Sequence, residues 1–198
     1  NLAENCWFLA NEDTKETVVI DPGAEPDRIC AAAEKHGWKI TAILLTHGHI
    51  DHMGACESLR TELGVKVYAL TEEEDLLLDA KKNLSVFIER KVVTFEPDEL
   101  LRDGQELTLA GMKIQVIHTP GHTPGGCSYY VAEAGCVFSG DTLFAESVGR
   151  SDFPGGSTSA LVRAVKEKLF LLPDDTLVCP GHGEETTIGH EKKYNPFV

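Results

Sequence analysis

The chain reads as an α/β fold in which two β-sheets pack face to face with helices on the outside. Three observations predict it. Short apolar runs with strand character alternate with helical stretches along the sequence. The alternation falls into two halves, each strand-rich and then closed by a helix, with no residue-level repeat. No linker or low-complexity segment separates the halves, and 198 residues suit one well-buried core, so a single domain over residues 1–198 is expected.

Taken in order, residues 6–10 and 17–20 predict two strands joined by the polar turn Asn11-Glu12-Asp13. The second strand ends at Asp21-Pro22-Gly23. Residues 26–36 predict a helix, with Gly37 just after it. A strand follows at 40–45, then one helix over 51–63 ending at Gly64, then a strand at 65–70. Thr71-Glu72-Glu73-Glu74 predicts a solvated helix start, a capping hydroxyl followed by carboxylates that suit the positive end of the helix dipole. The rest of the stretch to Glu96 fits one helix or two. The second half predicts strands at 106–109, 112–118, 127–131 and 136–139, with turns at Ala110-Gly111 and Ala134-Gly135. A helix over 157–169 with Ser157 as its cap, a buried strand at 176–179 and a helix over 188–194 close the chain.

Composition narrows the function. The hydrophobic fraction of 42% and charged fraction of 25% are those of an ordinary soluble enzyme. The formal net charge of −14 is unusual, and so acidic a surface repels phosphate backbones, so no nucleic-acid partner is expected. No stretch approaches the roughly 18 apolar residues of a membrane span, and no membrane association or secretory signal is expected. The chain opens at Asn1 rather than Met, which leaves room for an upstream segment. The six cysteines (Cys6, Cys30, Cys56, Cys127, Cys136 and Cys179) form no Cys-x-x-Cys pair, and most sit in apolar runs. They read as structural thiols of a reduced, cytoplasmic protein. Cys179, three residues before His182, is the one placed to face a functional site.

The chemistry concentrates in Thr46-His47-Gly48-His49-Ile50-Asp51-His52, directly after the apolar run 40–45. His47 and His49 are two apart and point to one face of extended backbone, while Asp51 and His52 follow as the chain turns into a helix. Gathered on a buried strand end, such groups need a cation to satisfy them. Imidazoles with a carboxylate suit zinc or iron, and open positions permit hydrolysis. His122, Asp141 and His182 each follow an apolar strand and are each preceded by Gly, which lets the backbone approach a metal or substrate closely. Seven ligands suffice for two metals with one bridging carboxylate. His36 and His190 have no companions and read as surface residues.

These residues resemble the metallo-β-lactamase-fold hydrolases, whose His-x-His-x-Asp-His motif is matched by His47, His49, Asp51 and His52, with His122, Asp141 and His182 following in order. The resemblance covers essentially the whole chain and implies a four-layer αββα sandwich with the site at one edge of the two sheets. It implies that His47, His49 and His122 bind a first metal, that Asp51, His52 and His182 bind a second, and that Asp141 bridges. The stretches 140–144 and 180–183 are most similar to the glyoxalase II (hydroxyacylglutathione hydrolase) branch, and Val148 to Gly156 and the ending resemble its short bacterial relatives. Glyoxalase II continues into a helical region with basic residues for glutathione, which the sequence ending at Val198 does not include. Thioester hydrolysis is therefore expected without a commitment to glutathione.

The resemblance implies two divalent ions, zinc first with iron or manganese possible, and a hydroxide held between them. The ions lower the pKa of bound water from about 15.7 to roughly 7, and Asp51 also orients the hydroxide. Asp21, in Val-Ile-Asp-Pro-Gly, resembles the aspartate that family members place behind a ligand histidine. His118 is expected to be a hydrogen-bonded supporting residue rather than an eighth ligand. Arg150 lies where glyoxalase II places a basic residue for its anionic substrate, and a salt bridge to Asp152 is its alternative role. The expected function is a small-molecule thioester or ester hydrolase. An iron-dependent persulfide dioxygenase, a lactonase and a non-catalytic binding module on the same scaffold are the alternatives, and oligomeric state is left open.

Overall fold

The computed structural model describes residues 3–198. In chain order the elements are β1 (Trp7–Ala10), β2 (Glu16–Ile20), α1 (Pro26–His36), β3 (Lys39–Leu44), α2 (Ile50–Met53), α3 (Cys56–Leu63) and β4 (Lys66–Leu70). Then come α4 (Glu74–Leu77), α5 (Ser85–Ile88), β5 (Glu99–Leu101), β6 (Glu106–Leu109), β7 (Met112–His118), β8 (Cys127–Val131) and β9 (Cys136–Gly140). The chain finishes with β10 (Leu143–Phe144), β11 (Ser147–Val148), α6 (Thr158–Glu167), β12 (Leu177–Pro180), β13 (Thr186–Thr187) and α7 (Ile188–Tyr194).

Each half of the chain builds its own sheet. The first has the order β1-β2-β3-β4-β5 and the second β13-β12-β9-β8-β7-β6, with β10-β11 a separate small hairpin. Leu9, Val18, Ile20, Leu44 and Leu101 of the first sheet pack against Ile114, Val116, Tyr129, Val131 and Phe138 of the second in one buried cluster. The outer face of the first sheet is covered through Ile29, Ala33, Cys56 and Leu59 of α1 and α3. Val165 and Ile188 of α6 and α7 cover Val137 and Val178 on the outer face of the second. The result is the expected αββα layering. It follows from strands that are apolar on both faces, which only two flanking layers can bury.

The sheets are also bonded to each other at one end. The Tyr129 hydroxyl donates to the Leu45 carbonyl at 2.6 Å, and the Cys127 N–H donates to the Thr46 carbonyl at 2.8 Å. The first strand region reaches the second sheet as well: Asn5 N donates to Gly181 O at 2.8 Å and Trp7 Nε1 to Pro180 O at 2.9 Å. On the outer edge, Asp103 accepts the His118 N–H at 2.8 Å and pairs with Lys168 beyond the end of α6 at 2.8 Å.

Several elements differ from the sequence expectation. The single helix expected over 51–63 is two, α2 and α3, because Ala55 N leaves the helical ladder to donate to Pro22 O at 2.9 Å, docking the chain on the Asp21–Gly23 turn. Thr71 is not a cap: its hydroxyl donates to Leu101 O at 2.8 Å, tying the turn to β5, a strand the sequence did not announce. The acidic run is not wholly solvated either, since Glu73 is buried. Ser157 does cap α6, accepting from Ala160 N. All six cysteines are free, four of them buried, and Cys6 and Cys30 half-buried. Cys179 faces the inter-sheet cluster beside Cys136 rather than a functional site.

Removing the Tyr129 hydroxyl leaves a buried carbonyl short of its donor while keeping the ring's shape, so Tyr129→Phe is expected to cost about 1–3 kcal/mol, read as a shift of the urea midpoint at unchanged slope. The Asp103 carboxyl is a pH-sensitive contribution. Burial alone would raise its pKa, but Lys168 and the His118 N–H outweigh that and hold it below its ordinary value of 3.8. A depressed folded-state value means stability that is present above the ordinary value and lost as pH falls through the folded one. Because the pair is half exposed, Asp103→Asn should cost less than about 1 kcal/mol at neutral pH. The gap to the parent should close on acidification, as followed by thermal melts across pH.

Candidate metal centre

The seam that joins the sheets is where the chemically active side chains meet. β3 ends at Leu44, and the next residues run along the seam as Thr46, His47, Gly48 and His49 before α2 begins. His122 comes from the β7–β8 connection, Asp141 from the turn after β9, and His182 from the turn after β12. All seven residues singled out in the sequence are thus brought to one place.

They form two groups. His47, His49 and His122 are buried, and their nearest ligand atoms lie within 4.8 Å of one another. Their rings pack edge to face in all three pairings, with centroids 4.7–4.8 Å apart and interplanar angles of 86–88°. The second group is Asp51, His52 and His182, within the same 4.8 Å limit. Asp141 stands between them: its Oδ2 is 3.3 Å from His122 Nε2 and its Oδ1 is 3.4 Å from His52 Nε2. Two glycines make the convergence possible. Gly140 has φ +50°, and a Cβ there would lie 2.2 Å from Thr46 Oγ1. A Cβ on Gly181 would lie 2.3 Å from Asp141 Oδ1 and 2.7 Å from the His52 ring.

The ring orientations are set from behind. Asp21, buried at the end of β2, accepts the Thr46 N–H at 2.7 Å and the Thr46 hydroxyl at 2.5 Å. It also accepts His52 Nδ1–H at 3.0 Å. His47 Nδ1 lies 3.2 Å from the same Thr46 hydroxyl, whose proton is committed to Asp21, so the imidazole is the donor there. His122 Nδ1–H donates to the Arg150 carbonyl at 2.6 Å. In each of these three rings Nδ1 is occupied and Nε2 is left toward the site, the arrangement that fixes tautomer and direction in metal-binding histidines. Asp21, His47 and His52 also bring ligand-type atoms within 4.8 Å of one another, but both Asp21 oxygens are already hydrogen-bonded.

The fit to a cation can be tested on these atoms. His47 Nε2, His52 Nε2 and Asp141 Oδ1 are buried and make no hydrogen bond, while His49 turns its Nδ1 inward, 2.9 Å from His122 Nε2. Buried polar atoms are almost always satisfied, and here three orphans and a close pair of imidazole nitrogens belong to side chains converging on one space. A set of imidazole nitrogens and carboxylate oxygens suits a divalent metal.

Electrostatics divide the site. Burial lowers the His47 and His49 pKa values, with neighbouring imidazoles adding to the effect, and pushes His49 down to about 3. Burial also opposes charge on His52, but Asp141, Asp21 and Asp51 outweigh it and push that residue up to about 10. Burial would raise Asp51, yet the His182 hydrogen bond and His52 bring it down to about 2. Asp51 and His182 keep 17% and 26% of their side-chain surface, so solvent reaches the site from their side. Phe153 sets its ring edge-on against His49 at 5.3 Å, and Phe144 does the same against His182 at 6.1 Å.

The remaining sequence candidates take other positions. His118 stands apart from the two groups; its Nε2 bonds the Pro124 carbonyl at 2.8 Å, bracing the loop that carries His122. The Arg150 guanidinium makes a two-pronged contact with Asp152 at 2.9–3.0 Å and lies over the Phe153 ring at 4.3 Å. His36 stacks on Trp38 and His190 pairs with Glu146, both away from the site. Sequence reasoning missed Glu73, whose buried carboxylate accepts from Gly48 N and Gly125 N at 2.8 Å each. Burial, against those two donors, raises its pKa to about 7. Its only local signal was membership of an acidic run.

A family model of the Metallo-beta-lactamase superfamily matches residues 1–182. The chain is 40% identical over 195 residues to the probable metallo-hydrolase YqgX of Bacillus subtilis, covering 98% of this chain and 92% of the relative. It is 36% identical over 197 residues to the hydroxyacylglutathione hydrolase GloC of Haemophilus influenzae, with the same coverage of both. Among solved structures it is similar to the BLEG-1 B3 metallo-β-lactamase (TM-score 0.93, 39% identity, 99% of this chain and 94% of that one). It is also similar to TTHA1623 in a di-iron-bound form (0.88, 39%, 100% and 96%) and to ETHE1 from Myxococcus xanthus (0.80, 31%, 98% and 79%). Sequence, layered fold and ligand arrangement agree: the chain belongs to the metallo-β-lactamase superfamily.

Proposed function

We propose that the protein is a metal-dependent hydrolase of small thioesters, of the hydroxyacylglutathione hydrolase type, that works with two divalent cations. The observation that carries this is Asp141. One of its oxygens faces the His47–His49–His122 group and the other faces His52, so a single carboxylate serves two adjoining ligand sets. The likeness to GloC supports thioesters as the substrate class. Zinc is the proposed ion, and iron and manganese suit the same donors. The six free cysteines fit a reduced, cytoplasmic setting.

When bound, such a pair of cations supplies Lewis-acid charge that makes water a nucleophile at neutral pH and steadies negative charge developing on a substrate carbonyl oxygen. The protein's own groups do the rest. His47, His49 and His122 would hold one ion, Asp51, His52 and His182 the other, with Asp141 shared. Asp51, its pKa held down to about 2 and its side chain partly open to solvent, would also accept a hydrogen bond from the attacking water and orient it. Phe153 lies against the buried His49 and His122 rings and shields them, while Phe144 lies against His182 on the open side. Arg150, two-thirds exposed, would exchange Asp152 for a substrate carboxylate.

A second reading, a one-iron sulfur dioxygenase, draws on the full burial of the His47–His49–His122 group, which can fill alone while Asp51 and His182 remain paired at 3.5 Å. Elemental analysis combined with a substrate panel separates the two. The hydrolase should carry two metals per chain, cleave thioesters faster than lactones or a β-lactam, and take up no oxygen with glutathione persulfide. One iron per chain with oxygen uptake would instead establish the dioxygenase. Asp141→Ala should lose metal and at least about 100-fold in activity; a variant with full metal content and rate would refute the shared carboxylate. Arg150→Ala should raise KM several-fold for acidic thioesters at unchanged kcat, whereas an unchanged KM confines the guanidinium to Asp152.

A further inference from the structure

Glu73 sits at the end of the turn Thr71–Glu73 that follows β4, and it is 1% exposed. Its two oxygens are used separately. Oε1 accepts the N–H of Gly48, the residue between His47 and His49, at 2.8 Å. Oε2 accepts the N–H of Gly125, three residues after His122, at 2.8 Å. These two loops come from different sheets, β3 on one side and the β7–β8 connection on the other. The loops lie hard against the turn: a Cβ on Gly125 would fall 2.1 Å from Glu73 N, and one on Gly48 would fall 2.7 Å from Leu77 Cδ2.

We propose that Glu73 is a positioning residue for the metal centre, a carboxylate clamp that sets the spacing between the His47–His49 segment and the His122 loop. The inference rests on reading that histidine group as a metal site. The chemistry of the clamp is specific. Two N–H donors require an acceptor at each end. A glutamine offers one acceptor and one donor, so in either orientation its amide N–H₂ confronts a backbone N–H. An aspartate offers both acceptors but is shorter by one methylene. A residue that only filled space would tolerate glutamine.

The test is chelator-competition titration of the metal-free protein with zinc, which resolves the two binding events, alongside melting of the metal-free proteins. His182→Ala identifies which event belongs to the His47–His49–His122 group, because that variant keeps only this one intact. Glu73→Gln should weaken that event by about 10–100-fold, the range for residues that orient ligands from behind, and leave the other within about twofold. Glu73→Asp should weaken the same event less, and it serves as the second variant should the glutamine protein not fold. Equal affinity to the parent in both events, or an equal fall in both, would overturn the clamp. So would a lowered melting temperature with unchanged zinc affinity, which would assign Glu73 to the fold alone. A parent protein that binds no zinc would overturn the metal reading itself, and the clamp with it.

Discussion

The site depends on one constraint: two sheets built from different halves of the chain must dock in a single register. Four of the seven converging groups lie on the first half and three on the second, so no local segment can assemble them. The register is set by the apolar cluster between the sheets and then locked at the functional end by the Tyr129–Leu45 and Cys127–Thr46 bonds. Hydrophobic packing is non-directional and specifies contact without fine position. The hydrogen bonds at the seam supply the position, because an unmet buried carbonyl costs far more than a met one gains. Asp21 extends that lock into the site by holding Thr46 and His52 at once.

The same docking creates an energetic debt that a cation relieves. Crowded imidazoles cannot share protons in a space closed to water, so His47 and His49 are driven toward their neutral forms. His52 differs only in its neighbours. Three carboxylates surround it and favour charge in spite of full burial. One residue type is thus pushed in opposite directions within one site, and the cause is local charge rather than depth. A fold that held these groups apart would be more comfortable without metal, so their convergence is evidence of what the site is built to hold.

Much of this was legible in the sequence because it was local. The His-x-His-x-Asp-His run declares itself by spacing, and α1, α6 and α7 declare themselves by pattern and by the Gly37 and Ser157 ends. What stayed hidden was set by tertiary contacts. The break between α2 and α3 comes from docking on Pro22, a contact between residues over thirty apart. Glu73 looked like one of a run of solvated acids, and only the fold shows that it is buried and faces two N–H donors. Arg150 drew attention for its guanidinium, yet its backbone carbonyl is the part that touches His122. Side-chain identity can be read from sequence, but a main-chain acceptor looks the same at every position.

A hydroxyacylglutathione hydrolase and a B3 metallo-β-lactamase are both similar to this chain over nearly its whole length, so the layered fold cannot be what chooses among reactions. In this chain the groups of the site differ in exposure around a buried floor. Here the floor is an all-imidazole group sealed beneath Phe153, while the open side carries Asp51 and His182. The solvent-facing side therefore presents Asp51 and the histidine bonded to it, with the buried rings behind them. Asp141 lies at the boundary between floor and opening, within reach of both sides, and it couples the geometry of the sealed group to that of the exposed one.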